Sequence, residues 1–140
     1  MGDLKSKQQE ELATVKEHSA VPTVLFHTRS PSSSSYSSGQ DVVFKTILFN
    51  EGGGYDPTTG RFTVSVAGVY LFSAQVCTSG GKNAQFDVIL DNKALQSSVH
   101  MDGQCVSCTT IIAFARVTAG AKAWIRCSVP SNIAEALLVC

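Results

Sequence analysis

The stretch from residue 44 to residue 72 constrains the fold of this chain more than any other part of the sequence. It places aromatic, amide and glycine residues at fixed intervals, with 5, 4, 6, 5, 1 and 1 residues between successive members. Seven fixed positions within 29 residues rarely arise by chance, so this spaced series is the primary marker of the fold. Its members are Phe44, Asn50, Tyr55, Phe62, Gly68, Tyr70 and Phe72.

The same stretch predicts strands separated by turns. Residues 61–66 alternate polar and apolar, which is typical of a half-buried strand. Residues 69–76 are apolar at nearly every position, which predicts a strand covered on both faces. Three glycines at 52–54, followed by Asp56 and Pro57, indicate a turn. They do not indicate a phosphate loop, because no Gly-Lys-Ser/Thr ending follows them.

Short apolar segments bounded by turn residues continue through the rest of the chain. Residues 30–39 contain seven serines, which predicts a mobile surface loop, and residues 91–93 predict a hairpin turn. About nine or ten short strands in all predict an all-β sandwich or jelly roll. Further strands are predicted at 22–28, 42–49, 86–90, 95–100, 106–117, 123–128 and 133–140.

The spaced series resembles the signature of the globular head of complement C1q, a trimeric jelly-roll domain related to tumour necrosis factor. The resemblance implies an antiparallel ten-stranded jelly-roll sandwich over residues 21–140 that assembles as a homotrimer. The sequence departs from the signature at Ala74, where family members carry an aromatic residue. No Gly-X-Y repeat precedes the domain, so the chain resembles the non-collagenous members that are numerous in invertebrate immunity. Residues 1–20 form a polar tail, interpreted either as the last turns of a trimerising stalk or as a frayed helix.

Composition excludes two classes of partner. The 11 basic and 11 acidic residues give a formal net charge of zero, which argues against nucleic-acid binding. No apolar run reaches the ~20 residues of a membrane span. The first 20 residues lack the apolar segment of a secretory signal, so the chain is either a trimmed mature form or an intracellular protein. The family resemblance implies that it is secreted.

No arrangement of residues in the sequence predicts catalysis. His18, His27 and His100 lie far apart and outside any HExxH motif, and no Gly-x-Ser-x-Gly elbow occurs. Cys105 and Cys108 form a CxxC pair without a second such pair, so we interpret them as structural. The chain is therefore predicted not to be an enzyme.

The five cysteines leave two readings open. In a jelly roll, the end of strand 69–76 lies near the start of the strand after Cys108, so the resemblance implies a disulfide from Cys77 to Cys105 or Cys108. A secreted protein would be expected to form such a bond. In a reducing compartment all five would act as small apolar groups. The full set is Cys77, Cys105, Cys108, Cys127 and Cys140.

The resemblance implies a secreted pattern-recognition module of innate immunity, lectin-like, that binds microbial carbohydrate or other surface ligands. The alternatives are a signalling ligand that binds a protein receptor and a structural trimerisation module. Acidic calcium ligands are sparse, so no metal site and no cofactor are predicted, with calcium as the alternative. Loops at 79–83, 100–104 and 130–132 should share one end of the sandwich, and their polar groups are either a ligand site or solvated loop tips. The candidate ligand-binding residues are Lys82, Asn83, His100, Asp102 and Asn132; the candidates for the core or the trimer interface are Tyr70, Phe72, Phe114 and Leu137.

Overall fold

A computed structural model describes residues 24–102, 105 and 107–139 of the chain, and these residues form an all-β structure. The predicted tail, residues 1–20, lies outside the described residues. Thirteen strands occur in the described part, and nine of them have three or more residues. They are β1 (Leu25–Pro31), β2 (Ser35–Tyr36), β3 (Asp41–Val42), β4 (Phe44–Glu51), β5 (Tyr55–Asp56), β6 (Arg61–Thr63), β7 (Gly68–Thr78), β8 (Lys82–Leu90), β9 (Lys93–Asp102), β10 (Ser107–Val117), β11 (Lys122–Cys127), β12 (Ser131–Asn132) and β13 (Glu135–Val139).

The strands form two main antiparallel sheets around a shared core. The first sheet has the order β10-β7-β13-β1-β4, and the second has the order β5-β6-β11-β8-β9 with β3 paired to β11. A further small ladder joins β12 to β2. Strands distant in sequence are neighbours in the first sheet, since β1 pairs with both β13 and β4. This antiparallel sandwich confirms the predicted fold class.

Hydrogen bonds and ring packing explain the spacing of the marker series. The side chain of Asn50 donates to the carbonyl of Tyr55 (2.9 Å) and accepts from its amide (3.1 Å), so these two residues close the turn that follows β4. The hydroxyl of Tyr55 accepts a bond from the amide of Phe44 (2.9 Å) and donates to its carbonyl (3.2 Å). Phe62 stacks on Phe26 with ring centroids 4.7 Å apart, and Phe72 meets Phe62 edge-on. The aromatic members of the series therefore pack the first sheet against the second.

The loop predicted over residues 30–39 is wrong in part. Residues 30 and 31 complete β1, and Tyr36 is buried, with 3% of its surface exposed. The hydroxyl of Tyr36 accepts a hydrogen bond from the amide of Ser33, and burial raises its pKa. Composition pointed to a solvated segment because serines outnumber the one aromatic residue. That single aromatic side chain is enough to anchor the segment in the core.

The prediction that strand 69–76 is covered on both faces is wrong for the single chain. Phe72, Ala74 and Val76 are buried, whereas Val69 is 60% exposed and Leu71 42% exposed. Because successive side chains of a strand point to opposite faces, one face of β7 packs on the core and the other faces outward. Apolar residues on both faces therefore do not mean that a second layer of the same chain covers them.

Several strand bounds differ from the sequence prediction. The first strand, predicted at 22–28, is β1, which extends to Pro31, and residues 22 and 23 lie outside the described part. The strand predicted over 61–66 ends at Thr63, although the alternation continues in the buried Val64 and the exposed Val66. The hairpin turn predicted at 91–93 is confirmed, since Asp91 and Asn92 adopt positive φ angles of 47° and 68° between β8 and β9.

Candidate functional site

An open cavity of about 140 Å³ lies where the chain passes between the ends of several strands. Lys82 and Asn132, two of the predicted ligand residues, both line it. We call it the loop-end cavity. Its lining residues are Ser34, Ser79, Lys82, Asn132, Ile133 and Ala134.

Local backbone geometry holds the two predicted residues at this cavity. The β7–β8 turn closes when the amide of Lys82 donates to the carbonyl of Ser79 (3.1 Å), which starts β8 at Lys82. Asn132 lies in β12 and pairs with Ser35 of β2, whose hydroxyl donates to the Asn132 Oδ1 atom (3.3 Å). Among the six described residues that line the cavity, Lys82 is the one with a charged side chain. The cavity can therefore offer an ammonium group, hydroxyls and an amide to a polar ligand.

Asn83 and His100, two more of the predicted residues, are not among the described residues that line this cavity. Asn83 and His100 lie within strands rather than loops, and their Cα register partners are Met101 and Ala84. Since neighbouring positions of a strand face opposite ways, Asn83 and His100 belong to different faces of the second sheet. His100 forms a hydrogen bond of 2.8 Å between its Nε2 atom and the hydroxyl of Ser107. Asp102 ends β9 directly opposite Lys82 in the ladder.

Sequence reasoning missed Ser34, Ser79, Ile133 and Ala134 as cavity residues. Ser79 lies within the loop predicted at 79–83 and could have been included on that ground. Nothing in the sequence marks Ser34, because it reaches the cavity only through the β2–β12 ladder and through its carbonyl, which accepts from the amide of Ile133 (2.9 Å). That pairing joins positions about 100 residues apart.

A second feature is an extended set of apolar side chains on the outward side of the first sheet, which we call the apolar face. Phe114 and Leu71 lie directly opposite one another across the β10–β7 ladder, and both are exposed. Phe114 has 68% of its surface exposed, the largest fraction in this set. Exposed apolar patches of this kind are typical of sites where another molecule binds. The apolar face comprises Leu25, Phe49, Val69, Leu71, Ile112 and Phe114.

Of the four candidates for the core or the trimer interface, two pack in or against the core and two face outward from the first sheet. Phe72 is a core residue with 1% of its surface exposed, and Tyr70 packs partly against the same core. The hydroxyl of Tyr70 donates to the carbonyl of Val66 (2.7 Å). Phe114 belongs to the apolar face, and the half-buried Leu137 faces the same way between Arg29 and Gln75.

The structure selects one of the two disulfides that the sequence left open. Cys77 of β7 and Cys108 of β10 are direct partners in the ladder, with Cα atoms 3.9 Å apart, and form a disulfide. Cys105 is exposed in the segment before β10. Cys127 is a buried thiol of the core, and burial raises its pKa to about 11, so it stays protonated and unreactive at neutral pH. Cys140 lies outside the described residues.

The described residues offer neither a metal-binding cluster nor a membrane-spanning helix. Over residues 24–102, 105 and 107–139, no group of three or more His, Cys, Asp or Glu side chains is placed to hold a metal ion. In the same residues no helix is long and apolar enough to cross a membrane.

Comparison with known proteins identifies what this arrangement is similar to. The model of the C1q domain family matches residues 25–136. Complement C1q tumor necrosis factor-related protein 5 of Rattus norvegicus is 41% identical over 54 residues, which are 39% of this chain and 22% of that protein. Complement C1q tumor necrosis factor-related protein 7 of Mus musculus is 35% identical over 63 residues, 45% of this chain and 18% of that protein. The matched region therefore spans about a fifth of the length of these relatives.

Solved structures share the fold at low sequence identity. The globular domain of zebrafish complement 1qA superimposes with a TM-score of 0.73 at 20% identity, covering 84% of this chain and 94% of that domain. Murine APRIL, in its structure at pH 5.0, superimposes with a TM-score of 0.64 at 13% identity, covering 83% of this chain and 97% of that one. Both likenesses concern the fold alone.

Proposed function

The chain belongs to the C1q domain family, and on that premise we propose that it is a secreted, homotrimeric recognition module that binds carbohydrate or other ligands on microbial surfaces. Proteins with C1q-like and tumour-necrosis-factor-like domains are generally non-enzymatic binding or signalling modules. The observation that carries the proposal is the pairing of an apolar face suited to self-association with a separate polar cavity at the loop end.

Self-association is supported by the apolar face. Single exposed apolar side chains are normal on a monomer, but here six large ones share one side of one sheet. Further copies of the same chain are the occupant we propose, because a trimer is the assembly that the family resemblance implies. Covering this face would bury Phe114 and Leu71, which are already adjacent across the ladder.

A charge placed on the apolar face tests the assembly. Phe114→Asp should give a monomer in sedimentation velocity, because a carboxylate buried without a partner costs several kcal/mol. The matched control is Val99→Asp, which places the same charge at a 58% exposed apolar residue of β9 outside the apolar face. We expect Val99→Asp to keep the mass of the unmodified protein. A monomeric unmodified protein, or an unchanged mass for Phe114→Asp, would contradict the proposal.

Ligand recognition is proposed for the loop-end cavity. Each cavity offers a few hydrogen-bonding groups, so a single site would bind weakly. Three such sites on one rigid trimer would raise the effective concentration of the second and third contacts and hence the avidity for a repeated surface ligand. Asn83, His100 and Asp102 stay predictions for this site. Asn83 follows Lys82 in β8, Asp102 is the register partner of Lys82, and His100 is the register partner of Ala84 in the same ladder.

A glycan and microbial-polysaccharide array, probed with the trimer with and without calcium, tests recognition. We expect selective binding that Lys82→Ala combined with Asn132→Ala abolishes. Lys93→Ala is the matched control, because Lys93 begins β9 at the opposite end of the same hairpin. Calcium dependence would identify a metal requirement that the sequence does not predict. If folded trimer bound nothing on the array, the result would contradict carbohydrate recognition.

Secretion is supported by the Cys77–Cys108 disulfide, since such bonds persist in oxidising compartments and are rare in the cytosol. Expression in a secreting cell line, with the fraction of protein found in the medium, tests it for the full-length gene product. Retention of all the protein inside the cells would argue against secretion.

A signalling ligand for a protein receptor is the second candidate, and one observation favours it. Met101 and Val99 are 72% and 58% exposed on β9, away from the apolar face, and large exposed apolar side chains suit a protein partner. Binding to a cell-surface protein that Met101→Ser weakens, without binding to any glycan, would favour this function over carbohydrate recognition.

A further inference from the structure

One histidine, His27, lies on the apolar face, which also carries the charged residues Arg29, Glu51 and Arg116 on the same side of the first sheet. His27 is in β1, with Phe49 of β4 and Val139 of β13 as its register partners on either side. Its ring meets the ring of Phe49 edge-on, with centroids 5.9 Å apart. No sequence motif marks His27, because its neighbours on the face come from strands more than 20 and more than 100 residues away.

The hydrogen bonding of His27 is incomplete in the single chain. Its Nε2 atom is buried and has no hydrogen-bond partner among the described residues. The rest of the side chain is only half-buried, so the ring keeps some contact with water. An imidazolium carries its charge over both ring nitrogens, and it needs water or an acceptor to stabilise it.

The charged groups around His27 do not supply that acceptor. Arg29, two residues along β1, is engaged with Glu135 of β13 at 3.9 Å. On β4, Glu51 pairs with Leu25 rather than with His27, and Lys45 lies toward the other end of the strand. No ion pair to His27 occurs among the described residues.

We propose that His27 makes the self-association of this chain sensitive to pH, so that the assembly is stable near neutral pH and separates under mildly acidic conditions. This inference rests on the proposed self-association through the apolar face. A second copy that covers the face removes the remaining water from His27 and surrounds it with apolar side chains. The neutral ring tolerates this environment, whereas the charged ring does not.

The direction follows from proton linkage. The assembled state binds fewer protons than the separated chains, so association strengthens as pH rises and weakens as pH falls. A histidine in water titrates near pH 6.5, which sets the range in which the effect is expected. Below that range, each fall of one pH unit should lower the association constant by up to about tenfold for each proton bound. A trimer with one His27 per protomer binds three such protons, so its association constant should fall by up to about a thousandfold.

Sedimentation velocity at pH 7.5 and pH 5.5 tests the inference, at a protein concentration near the midpoint of dissociation at pH 5.5. The unmodified chain should be trimeric at pH 7.5 and about half dissociated at pH 5.5, with unchanged far-ultraviolet circular dichroism. His27→Gln and His27→Phe, two variants of similar shape that cannot be protonated, should keep the same mass at both pH values. His100→Gln, which removes the histidine bonded to Ser107, should behave as the unmodified chain does.

The possible outcomes distinguish the pH switch from the self-association on which it rests. A monomer at pH 7.5 would refute self-association, and the pH switch with it. A trimer of equal stability at both pH values would refute the switch alone. Dissociation of His27→Gln and His27→Phe at pH 5.5 to the same extent as the unmodified chain would assign the pH dependence to another group and so overturn the role of His27.

Discussion

Removing the Cys77–Cys108 disulfide is the perturbation whose effect can be worked out most directly from the structure. The bond joins residues 31 apart in sequence. In the chain-entropy model, opening a loop of this length frees the unfolded chain and lowers the free energy of unfolding by about 3.7 kcal/mol at 25 °C. The loss should appear although the β7–β10 ladder itself continues for eleven residue pairs.

The substitutions follow the burial of the two cysteines. Cys77 is buried and is replaced by alanine, so that no unpaired hydroxyl enters the core, whereas the exposed Cys108 is replaced by serine. Urea unfolding is followed by the fluorescence of Trp124, the one tryptophan of the chain, which is buried at the second sheet. Both proteins are measured at the same concentrations, because assembly would add to the apparent stability.

The double variant should lose between about 2 and 4 kcal/mol, and the unmodified protein treated with reductant should lose the same amount. The single variant Cys105→Ser should lose less than about 0.5 kcal/mol, because Cys105 is exposed. A loss below about 1 kcal/mol for the double variant would refute the reasoning. An equally large loss for Cys105→Ser would mean that Cys105, rather than Cys108, is the bonded partner.

Three further predictions concern the core. Gly60→Ala should destabilise the fold by more than about 1 kcal/mol in urea unfolding, because the added Cβ would lie 2.7 Å from the carbonyl oxygen of Val42. Gly39→Ala is its control, with a similar positive φ but no atom within 4 Å, so an equal loss in both variants would assign the effect to backbone conformation alone. Phe72→Ala should lower the free energy of unfolding by about 3 to 5 kcal/mol, and a loss below about 1.5 kcal/mol would mean that Phe72 does not pack in the core. Burial raises the pKa of Cys127 from its ordinary 9.0 to about 11, so its contribution to stability is complete below pH 9 and is lost as pH rises toward 11. Urea midpoints between pH 8 and pH 11 should therefore fall less steeply in Cys127→Ala, and parallel curves would contradict the assignment.

Most of the fold could be predicted because it depends on local patterns. The spacing of Asn50, Tyr55 and Phe62 reflects side-chain hydrogen bonds and strand pairing that close within some twenty residues. Turn residues such as Asp91 and Asn92 could be identified because few residue types adopt positive φ. Alternation identified the buried side of β6, although it did not show where hydrogen bonding to the neighbouring strand stops.

The candidate site could be predicted only in part. The loops predicted at 79–83 and 130–132 contain Lys82 and Asn132, and both residues line the loop-end cavity. Sequence position suggested that Asn83 and His100 belonged with them, yet alternation along β8 and β9 sends these side chains to different faces. Ser34 was missed because only the β2–β12 ladder brings it to the cavity. The role of these residues in ligand binding stays a prediction.

The sequence by itself determined the family and the antiparallel sandwich, because these depend on residue spacing and on strand order, and the family resemblance implied Cys77 as one disulfide partner. The tertiary structure alone decided that Cys108 is the second partner and that Tyr36 enters the core. It also decided that His27 lies beside Phe49 on an exposed apolar face. The reason is that each of these contacts joins strands far apart in the chain, and a shift of one residue in register would turn every side chain to the opposite face.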